Sequence, residues 1–285
     1  MVNIDFHVHV TPPDIIDNWR KYAEKEPYFS LLSSDKHNKF VTAEEVAASL
    51  EAGTHSGQGE IFDKAVVFGF GFRDMGLCRY VNDYVIEKVR EYPRLIGFIS
   101  VPPCGDEAVR EIKRCHNAGL KGVGELFPAG QEMEIENKKQ TDAVCGICKE
   151  LGLPVLIHAD GPVGHYYTGK TDVRLSQLET FITNNPGLDI VLAHWGGGLL
   201  FYETMPEIRR KFRNVYYDTA ASPFLYDERI YRAAKAMGLC EKIIFGSDFP
   251  LLPPSLYFGG LEKSGLSAEE KQLILGGNAQ RLLAL

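Results

Sequence analysis

Six side chains able to ligate a metal or move a proton stand at the ends of short apolar runs. They are His7 and His9 in NIDFHVH, Glu125 after KGVG, His158 after PVLI, His194 after IVLA and Asp248 after IIFGS. His7 and His9 are two apart, so on a strand both imidazoles point to one face, and Asp5 is expected beside them. Paired imidazoles suit zinc or another borderline transition ion, yet two ligands are too few for a structural or a catalytic site. His158 and Asp248 would complete a set of three histidines and one carboxylate with room for a water.

Side chains from five different runs can meet only if the runs are strands of one sheet. Eight strand-like segments follow one another at residues 3–8, 65–70, 95–101, 120–126, 154–159, 189–194, 215–220 and 242–248. After the first gap they recur every 25 to 35 residues or so, as a repeated strand-helix unit requires. The expected fold is α/β, a (β/α)8 TIM barrel, with residues 1–285 as a single domain and the six side chains at the carboxyl ends of its strands. The intervening segments carry helix punctuation. A capping box runs from Thr42 to Glu45, Asp106 is expected to cap a helix that stops at Gly119, and similar glycine stops follow the later segments. Residues 11–41 form a long connection that would leave the barrel beside His7 and His9, and it is expected to act as a lid.

Composition narrows the function classes. The 285 residues are 45% hydrophobic and 24% charged, as in a globular protein with a sizeable core, and the net charge of −7 offers no basic footprint for nucleic acid or acidic membrane. A small-molecule substrate fits better. No apolar stretch is long enough for a membrane span, and MVNIDFHVHV lacks the pattern of a signal peptide, so a cytoplasmic location is expected. Assembly of like copies is left open. The six cysteines are read as reduced thiols, and Cys145 and Cys148 form a CxxC read as two half-buried helix residues without a second pair to complete a zinc site.

In order, DFHVH, LPVLIHAD, LAHWGGG and FGSDFP, closed by GNAQRLL, resemble the amidohydrolase superfamily over essentially the whole chain. The likeness is greatest to the amidohydrolase-related branch that includes aminocarboxymuconate semialdehyde decarboxylase. That resemblance implies a divalent metal ion, most commonly Zn2+, on His7, His9, His158 and Asp248, with His194 acting beside it. Strand 4 has no lysine at its carboxyl end for carbamylation, since Lys121 lies at its start. Glu125 there resembles the glutamate that holds or bridges metal in TatD-type enzymes, so it joins the expected ligands, the alternative being a structural carboxylate.

Asp248 is then the expected general base and His194 the group that stabilises charge or shuttles a proton. Arg73 and Lys170 are the cations nearest the site in sequence, each read first as a solvated surface charge. His37, His55 and His116 are read as structural or exposed. The expected activity is metal-dependent hydrolysis of a small amide, lactone or ester. The alternative is nonoxidative decarboxylation or hydration of a small unsaturated or aromatic acid, which would require a firmly placed arginine that the sequence does not identify.

Overall fold

The computed structural model describes residues 2–36, 38–55, 62–161 and 163–285. Its centre is a parallel sheet of eight strands in sequential order: β1 (Ile4–His9), β2 (Lys64–Phe68), β3 (Leu95–Ile99), β4 (Gly122–Leu126), β5 (Val155–Ile157), β6 (Ile190–Leu192), β7 (Val215–Asp218) and β8 (Ile243–Ile244). The ring closes beyond β8: Phe6 N donates to Phe245 O at 2.9 Å, Asp248 N donates to His7 O at 2.9 Å, and Val8 bridges Phe249. This is the (β/α)8 barrel expected from the strand spacing.

Buried on both sides, the strands are mostly apolar, and alternate residues serve two cores. Ile4, Phe6, Val66, Phe68, Ile96, Phe98, Leu156, Val191 and Ile244 fill the barrel interior, where Ala279 and Leu283 of the C-terminal helix join them. Their neighbours along the same strands pack against the surrounding helices. Among the described residues no helix is long and apolar enough to cross a membrane.

The Thr42–Glu45 capping box is present at the start of helix 43–51. The next expected cap differs. Helix 106–117 begins after Gly105 at φ 92, and Asp106 is its first residue, where its charge faces the positive end of the helix dipole. Cys145 and Cys148 lie on helix 138–151 and are fully rather than half buried. The connection at 11–41 is not an open loop. It folds into short helices at 13–17, 19–23 and 27–33 because Phe29 packs against Phe40, Phe70 and Phe72, while the buried Glu26 accepts hydrogen bonds from Arg73 N and Asp74 N.

One buried charge pair lies far from the six side chains. The Glu203 carboxylate, fully enclosed, accepts from Tyr217 Oη at 2.7 Å and from Lys242 Nζ at 2.5 Å. Replacing Lys242 by Met leaves that carboxylate without its cation and should cost about 3 kcal/mol or more, whereas Lys242→Met with Glu203→Leu should recover most of the loss. Urea unfolding measures both, and a single-variant loss below about 1 kcal/mol would contradict the assignment.

Candidate metal centre

Two irregularities in the strands bring the donors together. The pairing of β1 with β2 slips between Asp5 and Val8, so the alternation of faces breaks there. His7 and His9 converge as expected, with Nε2 atoms 3.3 Å apart, but Asp5 does not join them: its carboxylate accepts instead from Ser247 and His55. On β4 the register slips between Val123 and Leu126, around Glu125. Gly124 sits there at φ 134, and a Cβ on it would fall 2.4 Å from Leu156 O, so only glycine allows the strand this path.

His158 directly follows β5 and is tied by its N–H to Leu126 O at 2.8 Å. His194 opens a run of left-handed backbone, φ 56 and 60 at His194 and Trp195, then 63, 60 and 93 at Gly196, Gly197 and Gly198. A Cβ on Gly197 would meet Asp160 O at 2.2 Å, so this turn nests directly on the segment after His158. Asp248 lies beyond β8, in the stretch that pairs with β1.

The donors form two groups that share Glu125. Asp248 Oδ1 lies 3.6 Å from His7 Nε2 and 3.4 Å from His9 Nε2, and Glu125 Oε2 lies 3.7 and 3.6 Å from the same two nitrogens. The other oxygen of Glu125 is 3.0 Å from His158 Nδ1 and 3.7 Å from His194 Nε2, and those two nitrogens are 3.1 Å apart. His158, expected beside His7 and His9, is therefore grouped with Glu125 and His194 instead. Metal–ligand bonds of about 2.0 to 2.2 Å in a tetrahedron set neighbouring donors roughly 3.3 to 3.6 Å apart. His7, His9 and Asp248, 3.3 to 3.6 Å apart, have that spacing and fit a divalent ion, and Glu125 Oε2, 3.6 to 3.7 Å from the two imidazole nitrogens, is near enough to join them. His9, His158 and Asp248 keep 15, 13 and 11% of their side-chain surface exposed, so the cluster can be reached from the barrel mouth.

Asp218 was missed in the sequence. Fully buried at the end of β7, it places Oδ2 2.8 Å from His7 Nδ1, while Oδ1 accepts from His194 N at 2.9 Å and Ala220 N at 3.0 Å. This holds His7 with Nε2 turned to the cluster, as partners behind metal-binding imidazoles commonly do. The rule that selected the other positions, a polar residue closing an apolar run, also selects Asp218 in VYYD. His194 Nδ1 faces Ala220 O at 3.1 Å, which makes it the donor nitrogen and leaves the Nε2 lone pair directed at Glu125 and His158.

Burial alone would drive protons off the histidines, but the carboxylates outweigh it at two of them. Asp218, Glu125 and Asp248 hold His7 up at about 10, and Glu125 with Asp160 holds His158 up at about 9. For Glu125, burial favours the acid form, yet His7 and His158 pull it down to about 2. Asp248 is likewise held well below the carboxylate range by His9, His7 and His194 against its burial. His194 is pushed down by burial and by His158. Imidazoles must lose their protons to ligate metal, so uptake near neutral pH should release protons and affinity should rise with pH up to the value of His7. Calorimetry of Zn2+ binding in buffers of different ionisation enthalpy measures this, and binding without proton release would contradict it.

The remaining candidates are engaged elsewhere. Arg73 pairs with Glu132 and donates to Lys25 O, and Lys170 Nζ donates to Val163 O, Gly164 O and His165 O. Both pin loops. His55 is buried against Asp5, His116 is on helix 106–117, and His37 lies outside the described residues. Aromatic rings border the donors: Phe70 stacks on His9 at 5.3 Å with an interplanar angle of 22°, Phe127 sets its edge to His158 at 4.6 Å, and Tyr28 packs on Phe127.

Several solved structures share this architecture. A 5-carboxyvanillate decarboxylase from Novosphingobium aromaticivorans, solved with manganese and a nitrobenzoic acid, is 15% identical with a TM-score of 0.77, covering 100% of this chain and 96% of its own. A 2,6-dihydroxybenzoate decarboxylase from Rhizobium is 16% identical with a TM-score of 0.74, over 100% and 99%. A candidate 2-pyrone-4,6-dicarboxylic acid hydrolase from Pseudomonas putida is 19% identical with a TM-score of 0.69, over 99% and 97%. No curated protein matches the chain. These likenesses establish the barrel, and the sequence itself goes further: the model of the amidohydrolase family matches residues 4–285, which include all six donors, and the chain belongs to that family of metal-dependent enzymes.

Proposed function

We propose that this protein is a metal-dependent lyase that removes carbon dioxide, without an oxidant, from a small aromatic or unsaturated acid. The observation that carries the reading is the pairing of a donor cluster with aromatic walls: Phe70 stacks on His9 and Phe127 stands at 88° to His158, so rings border the place where a planar substrate would bind. The decarboxylases that share the fold act on acids of this shape. Hydrolysis, the first expectation from the sequence, has support from the family as a whole and from the second donor set.

His7, His9, Glu125 and Asp248 would hold the ion, with zinc the expected metal given the imidazole content. When bound, a divalent ion there supplies the positive charge that holds a substrate carboxylate and polarises the neighbouring oxygen. His158 is placed to hold the proton that the reaction consumes: its Nδ1 lies 3.0 Å from Glu125 Oε1 and 3.1 Å from His194 Nε2, and Glu125 and Asp160 favour its protonated form. As the bond from ring carbon to carboxylate breaks and its electron pair stays on the ring, the His158 proton goes to that carbon and carbon dioxide leaves. His194 Nε2 then takes a proton from solvent and passes it to His158, returning to its neutral form. Asp248 stays a carboxylate throughout.

A second reading, hydrolysis of a lactone or ester, is favoured by one observation. Glu125, His158 and His194 form a second set of three converging donors, and a pair of ions bridged by a carboxylate is an arrangement used for hydrolysis. The two readings differ in outcome. With reconstituted protein, carbon dioxide release from a panel of hydroxybenzoic and unsaturated acids supports the lyase. Turnover of lactones or esters, with none of the acids consumed, would replace it by the hydrolase.

A further inference from the structure

Asp248 occupies the left-handed region at φ 62, a conformation that a residue with a side chain adopts only when its surroundings impose it. Those surroundings are buried and polar. Ser247, next to it, is satisfied at every polar atom: its N donates to Asp5 Oδ1 at 2.9 Å, its Oγ donates to Asp5 Oδ2 at 2.5 Å, its Oγ accepts from Phe249 N at 3.1 Å, and its O accepts from Tyr257 Oη at 2.6 Å. Asp5 and Ser247 are fully buried.

The Asp5 carboxylate is in turn fixed from the far side. His55 Nε2 donates to Asp5 Oδ2 at 3.0 Å, and His55 Nδ1 lies 3.2 Å from Ser49 Oγ on helix 43–51. The His55 ring also packs edge-on against Phe249 at 5.1 Å, the residue that follows Asp248. One imidazole therefore touches both the carboxylate that clamps Ser247 and the ring on the other side of Asp248. His55 itself makes no contact with the donors.

We propose that His55, Asp5 and Ser247 form a brace that sets the backbone of Asp248, and so the place of its carboxylate relative to His7 and His9. In this role His55 is a positioning residue, supplied by the connection between β1 and β2. The proposal rests on the reading that this cluster holds a divalent ion. It goes beyond that reading by making the geometry of the bound ion depend on a residue two contacts away. A purely structural histidine would affect stability and leave that geometry alone.

Co2+ is the probe, since its visible absorption reports coordination number and symmetry independently of any substrate. The full-length protein is compared with His55→Leu, which removes the donor, and with His55→Gln, whose amide nitrogen can occupy the position of Nε2. The brace predicts that His55→Leu binds Co2+ about 10-fold more weakly or worse, with an altered spectrum, and that His55→Gln restores both. Should His55→Leu fail to fold, Ser247→Ala removes one arm of the clamp and is expected to alter the spectrum in the same sense. Wild-type affinity and spectrum in folded His55→Leu, or in Ser247→Ala where the first variant does not fold, would overturn the brace. Failure of the wild-type protein itself to bind Co2+ would instead overturn the metal reading on which the brace depends.

Discussion

Asp248→Asn should lower turnover by about three orders of magnitude while leaving the barrel folded. The carboxylate is the only acidic donor contributed from beyond β8, 3.6 and 3.4 Å from the His7 and His9 nitrogens. An amide in its place ligates weakly and carries no charge to balance the ion. The backbone that holds it makes its bonds through Ser247 and His7 O, neither of which the substitution touches, so circular dichroism and the unfolding midpoint should change little. The rate on any substrate found by the acid panel measures the effect. An unchanged rate in a metal-replete variant would remove Asp248 from the chemistry.

Glu125→Gln should have the next largest effect, because Glu125 is the one residue that faces both donor groups. Its two oxygens lie within 3.7 Å of nitrogens on His7, His9, His158 and His194. Removing its charge takes away a ligand of the first group and the carboxylate that keeps His158 protonated, so metal affinity should fall about 10-fold or more and activity with it. If Glu125 only supported its turn, the change would be a stability loss of about 1 kcal/mol with metal retained. Elemental analysis after dialysis separates the two outcomes. The alkaline limb of any rate profile should also move to lower pH, since His158 acts as its protonated form and would lose the partner that raises it.

The barrel was legible in the sequence because each strand is an apolar run followed by a helix with its own start and stop signals, a pattern that local chemistry dictates. The site was legible for a related reason: a His, Asp or Glu that closes such a run emerges at the barrel mouth. What periodicity could not supply were the places where it breaks. The slip at Asp5 sends that carboxylate away from His7 and His9, towards Ser247 and His55, and a two-residue repeat gives no sign of it. The grouping of His158 with Glu125 and His194 depends on how the bulge in β4 and the left-handed turn at His194 set relative heights across three strands. Residues 11–41 read as an open connection because their helices are too short to announce themselves, and it is the buried Phe29 and Glu26 that order them.

Metal content tests the central claim most directly. Elemental analysis of protein purified without added metal, repeated after reconstitution with Zn2+ or Mn2+, should find about one tightly held divalent ion per chain in the wild type and a sharp loss in His7→Ala and His9→Ala. Two ions per chain would favour the bridged pair and hydrolysis. Less than about a tenth of an equivalent, with no uptake on reconstitution, would contradict the account.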